Sequence, residues 1–285
     1  MPRTIQLQKQ PSPVETYARV ATTLVKKGAS FLPDLELLIG NNTITSEKIS
    51  KYNRVCDFLG SRYVPATYLQ AHLLMLHTHL LSAPEMPFPL LGMVHLANSM
   101  KQMRPLETGE SFDIICRTGN LIAHNKGQAF EILSYVEVNG RRIFEATSVY
   151  LCKLKEEGIG NILEWRQPEL PDNAVKLSWH LDSSLGRQYA QASGDFNPIH
   201  LHPLTAKLFG FDRHIIHGMW TLGKVLSTLQ KQVKDSFELT AAFKTPVYLP
   251  NDIIFRYAKA DSGFDFDVVN KTQEQPHVKG YLVSI

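Results

Sequence analysis

The chain has 285 residues, 44% of them hydrophobic and 20% charged, with a net charge of +3. This length and balance fit one large folded domain or two ordinary ones and exclude a disordered chain. Basic residues form no run and no aromatic-basic stripe, so nucleic acid is not an expected partner.

The first residues, MPRTIQLQKQPSPVE, lack the apolar core of a secretory signal. The most apolar region, Ala71 to Leu96, is broken by histidines, Glu85 and prolines, so no membrane span is expected. Cys56, Cys116 and Cys152 are isolated, which argues against a disulfide framework or a cysteine-based metal site. These features together predict a cytoplasmic protein.

A short strand is expected near Leu35–Leu38, and helical spacing of apolar residues predicts a long helix over roughly 66–82. Strand-like runs follow at 111–118, 128–138 and 141–155, the last two joined by Asn139-Gly140, a strong hairpin signal. The stretch Glu156–Pro171 carries two glycines and two prolines and reads as a linker.

The same plan then returns. A strand is expected near Val175–Trp179 and a helix over 219–233, with Met219, Leu222, Val225, Leu226 and Leu229 on one face. Strands follow at 252–260, 263–270 and 277–285. The text MKQMRPLETGESFDIICR from Met100 can be superposed on LTAAFKTPVYLPNDIIFR from Leu239, about half a chain apart. The expected fold class is α+β: two tandem domains, each an antiparallel sheet wrapped around a long helix, with residues 1–157 and 158–285 as the domains.

The second half alone carries Gly194-Asp195-Phe196-Asn197-Pro198-Ile199-His200. Gly, Asn and Pro favour turns over regular helix, and a segment so constrained places side chains. Those side chains are a carboxylate and an imidazole, the commonest proton-transfer groups. His217-Gly218-Met219 follows, just ahead of the second helix. A helix N-terminus offers backbone N–H groups to developing negative charge.

This motif, with Ala206, Phe209 and Ile216-His217-Gly218-Met219, closely resembles the signature of the MaoC-like dehydratases, which include the R-specific enoyl-CoA hydratases and have the hot-dog fold. The signature covers roughly Tyr189 to Thr221, and the whole chain resembles the double-hot-dog members, in which one half has lost its site. The resemblance implies reversible hydration of a trans-2-enoyl thioester to an R-3-hydroxyacyl thioester, carried by coenzyme A or acyl carrier protein, in fatty-acid metabolism. It implies no cofactor.

Carried over by motif, Asp195 and His200 are the catalytic pair, Asn197 orients them, and Gly218 N–H binds the thioester oxygen. Gly194, Pro198, His217, Met219 and Lys244 are candidate substrate-binding residues, with His217 also read as a structural residue at the helix entry. Which of Asp195 and His200 takes the water proton stays open.

The His200, His202, His214 and His217 cluster lacks a nearby cysteine or an HExxH pattern, and no metal site is expected. Hot-dog sheets commonly pair, so a homodimer is compatible with the resemblance, and the degenerate first half is expected to free apolar room for a longer acyl chain. Two other readings share the fold: a hot-dog acyl thioesterase, and a non-catalytic acyl-carrier-binding subunit.

Overall fold

A computed structural model describes residues 2–29 and 31–285. In chain order the N-terminal half contains β1 (Arg3–Leu7), α1 (Pro13–Thr22), β2 (Leu35–Asn42), α2 (Ser46–Cys56), β3 (Tyr63–Val64), α3 (Ala66–Leu81), β4 (Val94–Gln102), β5 (Leu106–Glu107), β6 (Phe112–Ile122), β7 (Gly127–Val138) and β8 (Arg141–Lys153). The C-terminal half contains β9 (Val175–Leu181), α4 (Leu185–Ser193), α5 (Pro203–Lys207), α6 (Gly218–Leu229), β10 (Phe237–Phe243), β11 (Asn251–Ala260), β12 (Gly263–Asn270) and β13 (Pro276–Ser284).

The chain folds into two compact units. The first comprises Met1–Thr43, His72–Met100 and Glu110–Trp165. Its strands run in the order β1-β2-β6-β7-β8-β4. β1 pairs parallel with β2, and β2–β6, β6–β7 and β7–β8 are antiparallel. The expected hairpin is present: Asn139 and Gly140 both adopt positive φ, as the tight turn requires.

The face that α3 turns to this sheet is not purely apolar. His77 of α3 bonds through Nδ1 to the Tyr150 hydroxyl at 2.8 Å and through Nε2 to Ser134 Oγ at 2.7 Å, all fully or nearly buried. These three side chains form a buried polar line between α3 and strands β7 and β8. The imidazole and the two hydroxyls satisfy one another, as buried polar groups must.

The second unit comprises Ile44–Ala71, Lys101–Gly109 and Arg166–Ile285. Its strands run in the order β10-β13-β12-β11-β9, with every adjacent pair antiparallel. α6 is buried along Met219, Leu222, Val225, Leu226 and Leu229, the face its spacing predicts, and Trp220, Thr221, Gly223 and Ser227 are buried as well. Trp220 meets Trp179 of β9 edge-on at 6.2 Å, and Trp179 stacks on Phe255 of β11 at 4.9 Å. The α+β hot-dog architecture of antiparallel sheet and long helix is thus the one adopted.

The units differ from a simple cut after residue 157. Two pieces of the N-terminal half, 44–71 and 101–109, belong to the second unit. The cause is α2, which has no counterpart among the expected elements. Ile49, Tyr52, Asn53 and Cys56 form its buried stripe at helical spacing, and that stripe faces α4 and α6. The approach is close enough that a Cβ at Gly223 would lie 2.8 Å from the Tyr52 hydroxyl. Trp220 Nε1 donates to the Val55 carbonyl at 2.9 Å, and Lys224 pairs with Asp57. Packing, not chain order, assigns α2.

Candidate active site

The site is built on the end of α4. Gly194 closes that helix in the left-handed conformation, φ 86°, and its N–H donates to the Ala190 carbonyl. The chain therefore leaves α4 abruptly at Asp195. Asn197 N–H donates to Asp195 Oδ1 at 3.1 Å, an Asx turn that fixes the carboxylate. Asn197 Oδ1 in turn accepts from Ile199 N–H at 3.4 Å and caps a 3-10 turn over Pro198–His200. Pro198 takes the first position of that turn, where no N–H is needed. Gly186 lets α4 sit hard against this turn, since a Cβ there would lie 2.2 Å from the His200 carbonyl oxygen.

His200 is carried inward and is 8% exposed. Its Nδ1–H donates to the Ile215 carbonyl at 2.8 Å, which leaves the Nε2 lone pair available. His217 is 2% exposed. Its Nε2–H donates to the Asp195 carbonyl at 3.0 Å and lies 3.8 Å from Asp195 Oδ2. The two imidazoles stack with centroids 3.6 Å apart. Asp195, His200 and His217 each bring one donor atom to within 4.8 Å of the others.

Burial pushes His200 down to about 3, reinforced by the neighbouring His217 and opposed by Asp195. Burial also lowers His217, again opposed by Asp195. Both rings are therefore neutral near pH 7, with tautomers set by their carbonyl bonds. Two nitrogens and a carboxylate are a donor set that metals also use. They are equally a proton-handling set, and fixed neutral tautomers beside a carboxylate suit the latter.

α6 begins immediately after His217, whose extended backbone forms the N-cap. Trp220 and Thr221 N–H groups donate back to the His217 carbonyl at 3.1 and 3.3 Å. The Gly218 and Met219 amides precede them, in the part of a helix that has no intrahelical acceptor. Gly218 lies beneath Phe243 of β10: a Cβ there would stand 2.6 Å from the ring. Acid-base groups and helix N–H donors thus share one end of α6.

The structure accordingly brings together Asp195, His200 and His217, supported by Gly194, Asn197 and Pro198, with Gly218 and Met219 next in line. Lys244 stands apart. Its side chain is exposed, its backbone N–H donates to the His277 carbonyl, and no bond joins it to the cluster among the described residues. Partial burial and nearby Lys279 lower its pKa. His202 spends its ring capping α5, accepting from Leu204 N–H, and His214 donates to the Ser183 carbonyl.

Sequence reasoning passed over Tyr189, Phe243 and the Ile215 carbonyl. Tyr189 is fully buried with its ring 4.7 Å from His217. Its one sequence signal is its place near the start of the motif; the Ile215 carbonyl, being backbone, has none.

Residues 169–279 match the MaoC like domain. The chain is 28% identical over 273 residues to a 3-hydroxyacyl-thioester dehydratase X of Mycobacterium tuberculosis, covering 94% of this chain and 97% of that relative. It is 36% identical over 83 residues to an (R)-specific enoyl-CoA hydratase of Aeromonas caviae, covering 28% and 62% respectively. The crystal structure of HtdX of Mycobacterium tuberculosis superposes with a TM-score of 0.77 at 25% identity, covering 88% of this chain and all of that one.

Proposed function

We propose that this chain, whose residues 169–279 match the MaoC like domain, hydrates a trans-2-enoyl thioester to an R-3-hydroxyacyl thioester, or runs the reverse dehydration. The observation that carries this is the Asp195–His200–His217 cluster set against the N-terminus of α6.

Hydration must activate water at C3 and protonate C2 while charge builds on the thioester oxygen. A water held between the Asp195 carboxylate and His200 Nε2 donates hydrogen bonds to both. Its oxygen bonds to C3, and one of its protons passes to this pair. The C2–C3 π electrons move toward the carbonyl and form an enolate. The enolate oxygen is met by Gly218 N–H at the start of α6. The stored proton then goes to C2 as the enolate collapses, so water adds as H and OH with no external reductant or oxidant. Delivery from one pair places both on one face of the double bond. Asn197 holds the carboxylate in place, and His217 fixes the loop through the Asp195 carbonyl.

The acyl carrier is coenzyme A or an acyl carrier protein, and exposed Lys244 is a candidate for the carrier's phosphates. The N-terminal half is the degenerate domain, residues 1–157 by chain order. A homodimer and a cytoplasmic location complete the proposal. No helix is long and apolar enough to cross a membrane, among the described residues.

The test follows absorbance of a conjugated enoyl thioester together with free thiol release. Asp195→Asn and His200→Ala each remove about 10²- to 10⁴-fold of the hydration rate, the usual range for a lost proton-transfer group, with the fold retained by circular dichroism. Near-normal turnover in both variants refutes the assigned site. Thiol release without loss of the conjugated absorbance identifies a thioesterase instead.

A further inference from the structure

His217 connects both parts of the site, because its ring touches the proton-transfer groups and its backbone caps α6. Yet the ring is weakly tied. One hydrogen bond, to the Asp195 carbonyl, holds Nε2, while Nδ1 is buried without a partner. A ring with a single hydrogen bond can pivot about it. What restrains it is aromatic contact.

That contact runs in a column. His200 stacks on His217 at 3.6 Å, Tyr189 lies against His217 at 4.7 Å, and Tyr52 packs on Tyr189 at 5.8 Å. Tyr52 is completely buried and is itself wedged by Tyr68 at 5.0 Å and Phe58 at 6.1 Å. Its hydroxyl donates to Thr67 Oγ1 at 3.0 Å, which ties the ring to the start of α3. Tyr52, Phe58, Thr67 and Tyr68 all belong to 44–71, the piece of the N-terminal half that folds into the second unit.

We propose that Tyr52 is a positioning residue for the catalytic cluster: it props Tyr189 against His217 and so fixes the His217–His200 pair beside Asp195. The inference rests on the hydratase reading and goes beyond it. The half that lost its own motif keeps a part in the other half's chemistry. α2 is locked on α6 by Trp220 to the Val55 carbonyl and by Lys224 to Asp57, with Gly223 permitting the close approach. A prop held at both ends transmits position, because close-packed aromatic rings have little room to relax.

Removing the ring opens space behind Tyr189. His217 then swings, His200 loses its stacking partner, and water reaches both. Asp195 and His214 face this pair, and Tyr189 packs on it with Tyr52, Cys56, Tyr68 and Asp195 as its own titratable neighbours. None of the others changes in a Tyr52 variant. Hydration of the imidazoles weakens the burial that holds them neutral, so the acid limb of the kcat profile moves to higher pH.

The experiment uses the full chain and compares wild type, Tyr52→Phe, Tyr52→Leu and Asp195→Asn in the enoyl thioester hydration assay, with circular dichroism and melting curves. Tyr52→Phe keeps the ring that props Tyr189 and is expected to retain kcat within about 2-fold. Tyr52→Leu is expected to lower kcat about 10- to 100-fold through misplacement of the cluster, with KM within about 3-fold, and to shift the acid limb upward. Tyr52→Met, flexible enough to fill the space differently but without a flat ring, replaces Leu if that variant does not fold.

Wild-type kcat and pH profile in a folded Leu or Met variant overturns the proposal. So does an effect confined to KM, or an equal loss in Tyr52→Phe, which would put the role on the hydroxyl. Inactive wild type on every enoyl thioester sinks the hydratase reading itself, a distinct failure.

Discussion

Gly218→Ala tests the enolate-binding end of the site with one methyl group. The added Cβ would lie 2.6 Å from Cε1 and 2.8 Å from Cδ1 of Phe243. Carbon atoms settle at about 3.5–4.0 Å, so the contact is roughly 1 Å too short. Gly218 has an ordinary φ, and the backbone itself accepts alanine. Either the Phe243 ring or the start of α6 must therefore yield by about that distance. Overpacking of this kind costs about 1–3 kcal/mol of stability. A displacement of about 1 Å at a catalytic donor costs about 10²-fold in rate, and complete loss of an oxyanion donor costs about 10²–10³. The expected result is a 10²-fold or greater fall in kcat with KM nearly unchanged, read by the enoyl thioester assay, beside a modest fall in melting temperature. Phe243→Leu leaves room for the methyl group, so the double variant should recover much of the lost kcat. If Gly218→Ala keeps kcat within about 3-fold, the start of α6 does not bind the reacting oxygen in this way.

Acid should destabilise the fold through its buried histidines. His77 and His200 are both pushed down to about 3 by burial, against an unfolded value of 6.5. Between these values the unfolded chain binds protons that the native one does not, so stability is full above about 6.5 and declines as pH falls toward 3. Urea midpoints at stepped pH should show this decline, and His77→Gln should reduce its slope; a flat profile would contradict the assignment of neutral buried rings. A different weakness lies in the sheet of the second unit. Asp267 is 2% exposed and takes both bonds of Arg256, at 2.8 and 2.6 Å. Arg256→Met leaves that carboxylate buried and unpaired, at an expected cost of about 3–5 kcal/mol in chemical denaturation. An unchanged midpoint would mean that Asp267 finds water or another partner.

The sequence by itself determined the local parts of this protein. Gly194, Asn197 and Pro198 act within a few residues of one another, so the turn that aims Asp195 and His200 is written in the motif. The apolar stripes of α3 and α6 and the Asn139-Gly140 hairpin were legible for the same reason, since helix period and turn chemistry are short-range. The tertiary structure decided what depends on long-range packing. The ring of His217 reads as a helix-entry residue in sequence and becomes part of the cluster only when α6 meets the end of α4. Tyr189 gains meaning through a ring contact, and the Ile215 carbonyl has no side-chain signature at all. α2 shows a helical stripe in its sequence, but nothing local says which surface that stripe will cover. Gly223, Trp220 and Asp57 make α6 the better match, and burial against α6 assigns part of the N-terminal half to the unit that holds the site.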